Sequence, residues 1–377
     1  MQYCKKCVYP GSSAVKLTFD ENGICSGCRV AETKKNINWN ERGAMLKEIM
    51  EKYRSQDGSN YDCIIPVSGG KDSYFQTHYI TNVLGLKPLL VTYHGNNFLP
   101  EGEYNLKRMR EVFDVDHLIF RPSEKVLIKL NRLGFKKMGD MNWQNHAGIF
   151  TYPVQVAVNY KVPLIIWGEH GYTDLGGMYS MGDFPEMTAK YRLEHAQRGF
   201  DWDDMIGGEE GLKEQDLLWL KYPTNEKLEE LGIRGIYLGN YVDWDGNFNY
   251  KLMKEQYGWK ESQEPFDRTY RMFSNIDDMH ENGIHDYMKF IKFGYGRASD
   301  HACKDIRAGH MTRDKGIEMV KKYDSVKPRD LRRWLEYVGM TEQEFDKIAD
   351  SFRDPKVWRK NEKGEWEKDN IWDEVKK

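Results

Sequence analysis

The stretch Asp62-Cys63-Ile64-Ile65-Pro66-Val67-Ser68-Gly69-Gly70-Lys71-Asp72-Ser73 decides the fold. A short apolar run stops at Ser-Gly-Gly-Lys-Asp-Ser, and Tyr74-Phe75-Gln76-Thr77-His78-Tyr79-Ile80 continues as a helix. That order reads as a buried parallel strand feeding a phosphate-binding turn. Glycines let the backbone approach an anion closely, and the helix start offers unpaired N–H groups and the positive end of a dipole. The spacing is not that of a Walker A loop, which places four residues between its glycines before Gly-Lys-Ser/Thr. Asp72, beside the phosphates, is the best metal candidate; its plain alternative is a helix cap.

Around this stretch apolar runs and helices alternate. Cys63–Val67, Pro88–Tyr93, His117–Arg121, Pro163–Trp167 and Arg234–Gly239 read as five strands, and Ala147–Tyr160 as a helix. The expected class is α/β: a doubly wound parallel sheet, with ligands at the carboxyl ends of the strands. The polar clusters at His94–Asn97 and Gly168-Glu169-His170-Gly171 fall at such ends. Glu169 could orient a substrate amide or take a proton from an amine. An insertion at about 172–231 breaks the alternation with glycine-rich and acidic runs, in the manner of a lid, a partner surface or a solvated loop. The last 100 or so residues read as helical, with Thr341-Glu342-Gln343-Glu344 a capping box and the residues from Trp358 a peripheral tail.

Six cysteines fall as two knuckles, Cys4-Lys5-Lys6-Cys7 and Cys25-Ser26-Gly27-Cys28, and two single residues, Cys63 and Cys303. Paired Cys-x-x-Cys knuckles with a turn at Asp20–Gly23 between them form the zinc-ribbon arrangement. Structural Zn²⁺ is expected on Cys4, Cys7, Cys25 and Cys28, an iron–sulfur cluster being the other occupant four thiolates can hold. Cys63 reads as core. Cys303 beside His301 has the look of a nucleophile pair without a third partner. The expected organisation is a ribbon over 1–32, a connector helix over 33–60, the α/β domain over 61–310 and a helical region with its tail over 311–377.

The 377 residues are 40% hydrophobic and 31% charged, with a net charge of −3, as in a soluble globular protein. No apolar segment approaches the roughly 18 residues that span a bilayer, and no signal-peptide pattern is present, so a cytoplasmic location is expected. The charge argues against extended nucleic-acid binding.

The Ser68–Ser73 turn resembles the pyrophosphate loop, SGGxDS, of the adenine-nucleotide α-hydrolase-like ATP-pyrophosphatases. The resemblance implies ATP with Mg²⁺, cleavage to AMP and pyrophosphate, and phosphate-binding roles for Ser68, Gly69, Gly70, Asp72 and Ser73. Lys71 holds the variable position and is expected to act beside Asp72. The Cys4 ribbon, Pro66–Ser73, Asn142-Trp143-Gln144-Asn145-His146, Trp167-Gly168-Glu169-His170-Gly171 and Phe293-Gly294-Tyr295-Gly296-Arg297-Ala298-Ser299-Asp300 together resemble the N-acetyl sugar amidotransferase family over roughly residues 1 to 350. That family implies conversion of an acetamido group to an acetamidino group on a bacterial surface sugar, in O-antigen or nonulosonate synthesis, the sugar being nucleotide-linked. Glu169 and His170 are then expected in catalysis and Asn145 and His146 at the sugar. Lys292, Arg297, Arg313 and Lys315 fall where related synthetases place pyrophosphate-binding cations.

Residue 2 is Gln, not the cysteine of an N-terminal glutaminase. A separate glutaminase subunit, similar to that of imidazole-glycerol-phosphate synthase, is therefore expected to supply ammonia, with that enzyme's cyclase-like subunit as a further candidate partner. Two rivals stand beside this reading. One is a tRNA-thiolating or lysidine-forming enzyme, its basic face being Lys125, Lys129, Arg132, Lys136 and Lys137. The other is a non-catalytic scaffold.

Overall fold

Strand β1 (Cys63–Pro66) sits at the centre of a five-stranded parallel sheet in the order β3-β2-β1-β4-β5. The others are β2 (Pro88–Tyr93), β3 (Asp116–Phe120), β4 (Leu164–Trp167) and β5 (Arg234–Tyr237). The structure, a computed structural model, describes residues 1–95, 97–274 and 279–374; Asn96 of the β2-end cluster and the last three residues of the tail lie outside them. The doubly wound class is as expected, each strand ending within two residues of its predicted limit.

Side chains along a strand alternate between faces, and the two cores follow that period. Cys63, Ile65, Leu90, Leu164 and Ile166 pack with helices α2 (Trp39–Tyr53), α3 (Lys71–His78) and α4 (Pro100–Phe113). Ile64, Leu89, Val91, Ile165 and Trp167 pack with Val154, Val156 and Ala157 on the other face. Chain order runs outward from β1 through β2 to β3, then returns to place β4 on the other side of β1. The crevice at this reversal lies between the carboxyl ends of β1 and β4.

Several elements depart from the sequence reading. Helix α1 (Ser26–Lys34) starts inside the second cysteine knuckle, and the only strand pairing among the described residues there is the isolated bridges Tyr3–Pro10 and Phe19–Cys25. The cysteine module is thus held by its knuckles, not by a β-ladder, and runs past residue 32. Helix α2 begins at Trp39 because the Asn38 side chain accepts from the Asn40 and Glu41 amides. Beyond α5 (Glu124–Met138), helix α6 (Trp143–Tyr160) takes in the Asn142–His146 motif and tolerates Pro153, so Asn145 and His146 lie on its first turn.

The insertion is a packed layer. After α7 (Gly171–Gly176), α8 (Ala189–Tyr191), with Tyr191 buried, leads into short turns whose Met205, Leu217 and Leu220 are buried, and α9 (Asn225–Glu230) closes it. Its acidic residues meet the basic helix α5: Arg132 pairs with Glu210 at 2.5 Å and Lys136 with Glu209 at 2.7 Å, while Lys137 donates to the Asp204 carbonyl. Three of the five basic residues offered for a nucleic-acid face are thereby engaged.

After α10 (Gly246–Tyr257) come α11 (Met279–Phe293), α12 (Arg297–Arg307), α13 (Arg313–Tyr323), α14 (Leu331–Val338), α15 (Glu342–Ser351), the two-residue strands β6 (Arg359–Lys360) and β7 (Trp366–Glu367), and α16 (Ile371–Glu374). The tail is docked, not peripheral: Trp358 and Ile371 are buried, and the Met1 amino group pairs with Asp369 at 2.5 Å. No described helix is long and apolar enough to cross a membrane.

Candidate active site

The Ser68–Ser73 turn is built for close approach. Gly69 has φ +85°, and a Cβ there would lie 2.7 Å from the Leu106 amide nitrogen, so both conformation and space demand glycine. The Ser68 amide donates to Ser73 Oγ at 3.0 Å, and Trp259 Nε1 donates to the Gly69 carbonyl at 3.0 Å, pinning the turn from both sides. Gly70 caps α3, whose first-turn N–H groups have no intrahelical acceptor. Lys71 is buried and ion-paired to Asp72.

A cavity of about 400 Å³ opens over this turn. Of the expected residues, Ser68, Gly70, Lys71, Asp72, Ser73, Glu169 and Arg297 line it. Its other wall is α12, which presents Arg297, Asp300, His301, Lys304 and Asp305 to it, at helical spacing. At the foot of β4, Lys304 Nζ bridges Glu169 Oε1 at 2.6 Å and Asp174 Oδ2 at 2.7 Å. Burial lifts the Glu169 carboxyl above the usual range, while the Lys304 ammonium beside Asp174 holds that carboxyl below it. Arg271 pairs with Asp305 at 2.5 Å, and Asn247 donates to the same carboxylate at 2.9 Å.

Other expected residues stand elsewhere. His170 lies behind Glu169, its Nδ1 on Thr173 Oγ1 at 2.9 Å. Arg313 donates to the Cys4 and Cys7 carbonyls, at 3.3 and 3.2 Å, and Lys315 is an exposed partner of Glu318. Lys292 sits on the Met138 and Gly139 carbonyls, and burial pushes its ammonium down to about 8. His146 joins a separate group around buried Asp140, which takes His285 at 2.8 Å and Arg198 at 3.0 Å. Asn145, one residue before it on α6, does not line the cleft. His301 bonds Thr269 at 2.6 Å and Cys303 lies in the core around the cysteine knuckles, so these two do not form a nucleophile pair.

The reading missed Asp174, Arg271, Lys304 and Asp305 as site residues. For α12 a signal existed: Arg297, Asp300, His301, Lys304 and Asp305 recur at i, i+3, i+4, i+7 and i+8, while Ala298, Ala302 and Cys303 point to the core.

The four knuckle cysteines are buried, with their sulfurs all within 4.8 Å of one another. Sulfurs at about 2.3 Å from a tetrahedral zinc stand about 3.8 Å apart. Cys4 and Cys28 are separated by 3.9 Å and Cys7 and Cys25 by 3.8 Å, which fits. The amides of Lys6, Cys7 and Cys25 point at Cys4 Sγ from 3.3–3.4 Å, and Arg307 Nη2 lies 3.5 Å from Cys25 Sγ. These donors offset the negative charge that four thiolates leave around a divalent ion.

Comparison with known proteins bears on the α12 wall. Residues 267–372 match the family described as LPS biosynthesis protein WbpG-like, C-terminal domain. The match covers the C-terminal part of the chain only. The WbpG-like segment supplies Arg271 and all of α12, and with them one wall of the cleft. Among solved structures, NMN synthetase from Francisella tularensis is similar at 12% identity, over 61% of this chain and 99% of that one, with a TM-score of 0.30. No curated protein sequence matches the chain.

Three buried or half-buried histidines contribute to the acid limit of the fold. Burial holds His117 and His170 down at about 4 and His146 at about 3, so they stay neutral in the fold while the unfolded chain takes up protons near 6.5. Unfolding then binds protons, so stability falls as pH drops from about 6.5 towards 4, by up to about 1.4 kcal/mol per pH unit for each histidine. Glu169 and Glu281, lifted by burial, act in the opposite sense. The expected result is therefore differential: His117→Gln melts less steeply with pH than the parent between pH 6.5 and 4, and parallel profiles would refute the assignment.

Proposed function

We propose that the cleft activates an acetamido sugar with ATP and converts it to an acetamidino sugar, in the synthesis of a bacterial surface polysaccharide. The reading rests on one juxtaposition: the Ser68–Ser73 turn at the end of β1 faces Glu169 at the end of β4 across a cleft walled by α12. The family description of that wall's segment, lipopolysaccharide biosynthesis, supports the sugar side. The acetamido oxygen attacks the α-phosphorus and pyrophosphate leaves. Ammonia then adds to the activated carbon, the C–O bond to AMP breaks, and one proton is released. Activation is needed because an amide oxygen is a poor leaving group.

The loop amides and Lys71 would hold the departing phosphates. Six cations line the cleft against six carboxylates, so the site carries no surplus charge for a triphosphate. Mg²⁺ on Asp72, waters and phosphate oxygens would supply it. Zinc on the four cysteines would be structural, since four protein ligands leave no open position. Ammonia from a separate glutaminase subunit, paired with a cyclase-like partner, completes the reaction.

The test is a panel of nucleotide-linked acetamido sugars incubated with ATP, Mg²⁺ and ammonium chloride. A product lighter by one mass unit, with one AMP and one pyrophosphate formed per turnover, is expected, and Asp72→Ala should abolish pyrophosphate release. ATP-dependent modification of co-purified tRNA, with no sugar product, would overturn the reading.

A further inference from the structure

A second cavity, of about 70 Å³, adjoins the cleft and shares with it a wall that includes Ala31, Glu169, Asp174 and Trp244. No residue of the phosphate turn lines it; its own walls include Val30 of α1 on one side and Met181 and Gly239 on the other. It opens to solvent beside α1, where Val30 and Met181 are partly exposed. The volume holds a few molecules the size of water and no sugar or nucleotide.

Two of its lining residues, His170 and Trp244, each carry a buried ring nitrogen with no hydrogen-bond partner. The Thr173 amide donates to His170 Nδ1 at 3.3 Å, which assigns the ring proton to Nε2. Both unpartnered groups are therefore N–H donors. The carboxylates on the shared wall are already bridged by Lys304, and Lys34, at the same wall, is paired with Asp243 at 2.9 Å, so no free carboxylate faces the cavity from that wall. Such a lining suits a small neutral molecule with a lone pair and disfavours a cation. Gly239 keeps the inner end clear: a Cβ there would lie 3.4 Å from Glu169 Cα.

Resting on the function proposed above, we propose that this side cavity is the entrance through which neutral ammonia reaches Glu169, separately from the route taken by ATP and sugar. Ammonia passes between His170 and Trp244 and adds to the activated carbon beside Glu169. The proton lost by nitrogen goes to the Glu169 carboxylate, and the electron pair of the breaking C–O bond leaves with AMP.

Val30→Trp and Met181→Trp narrow the cavity from its two sides without touching the cleft. With ammonium chloride as the nitrogen source and a sugar accepted in the panel above, kcat/KM for ammonia should fall by about tenfold or more in each variant. Pyrophosphate release in a single turnover without ammonia should stay within about twofold of the parent, since that step precedes the nucleophile. Melting curves identify any variant that fails to fold, and either one alone suffices. Parental ammonia kinetics in a folded variant overturn the entrance while leaving the proposed function standing. A parent that neither releases pyrophosphate nor aminates any sugar overturns both.

Discussion

Lys304→Met should leave a protein that folds and hardly turns over. Lys304 is the one cation between Glu169 and Asp174, at 2.6 and 2.7 Å, and its removal sets two carboxylates side by side facing the phosphate turn. The three side chains are 24%, 31% and 42% exposed, so cleft water screens part of the loss. The expected destabilisation is about 1–2 kcal/mol, below that of a fully buried pair. The effect on chemistry should be larger. Negative charge now stands where a polyphosphate and a developing oxyanion must sit, and pyrophosphate release should fall by about 10²-fold or more. Adding Asp174→Asn removes the like-charge contact, so melting should recover while turnover does not. Restored turnover in the double variant would show that Lys304 acts only by neutralising Asp174.

What the chain discloses by itself follows from how local each constraint is. The β1 turn was legible because its glycines, its polar residues and the helix after it are consecutive, and Gly69 meets a steric demand at one position. The cysteine cluster was legible for the same reason: two short knuckles carry all four ligands. Arg271, Asp174 and Lys304 were not, since each takes its meaning from a partner 34, 130 or 135 residues away. Arg313 shows the reverse error. Its place after the core, where related synthetases carry basic residues, suggested a phosphate, but α13 packs against the cysteine module and the guanidinium donates to the Cys4 and Cys7 carbonyls. The insertion misled because its burial is that of scattered aromatics and leucines on α6, which has no sequence period.

Removing the metal from the four cysteines should loosen the cleft from behind. The first 34 residues meet the C-terminal helices in one core, where Cys4, Cys7, Val8 and Tyr9 pack with Tyr295, Ala302, Cys303, Ile317 and Ile371. Polar ties cross the same boundary, Tyr9 to Asp300 at 2.7 Å and Ser12 to the Phe293 carbonyl at 2.6 Å, while Ser26 ties the module to α7 through the Gly176 carbonyl at 2.6 Å. Arg307 stands between the thiols and the Asp174 and Leu175 carbonyls, three residues along α12 from Lys304. Four thiolates without an ion repel one another, and binding energies of structural zinc, about 10–16 kcal/mol in small peptides, match the whole stability of a domain. Chelation or Cys28→Ser should therefore lower the melting temperature by well over ten degrees. Hydrogen exchange should rise first over residues 1–34 and 297–323 and leave β1, β2 and β4 protected. Metal analysis of the untreated protein should return about one zinc per chain, the sulfur separations being those of a single tetrahedral ion. Uniform loss of protection would make the metal a support of the whole fold, and unchanged exchange would show that the thiols hold the module unaided.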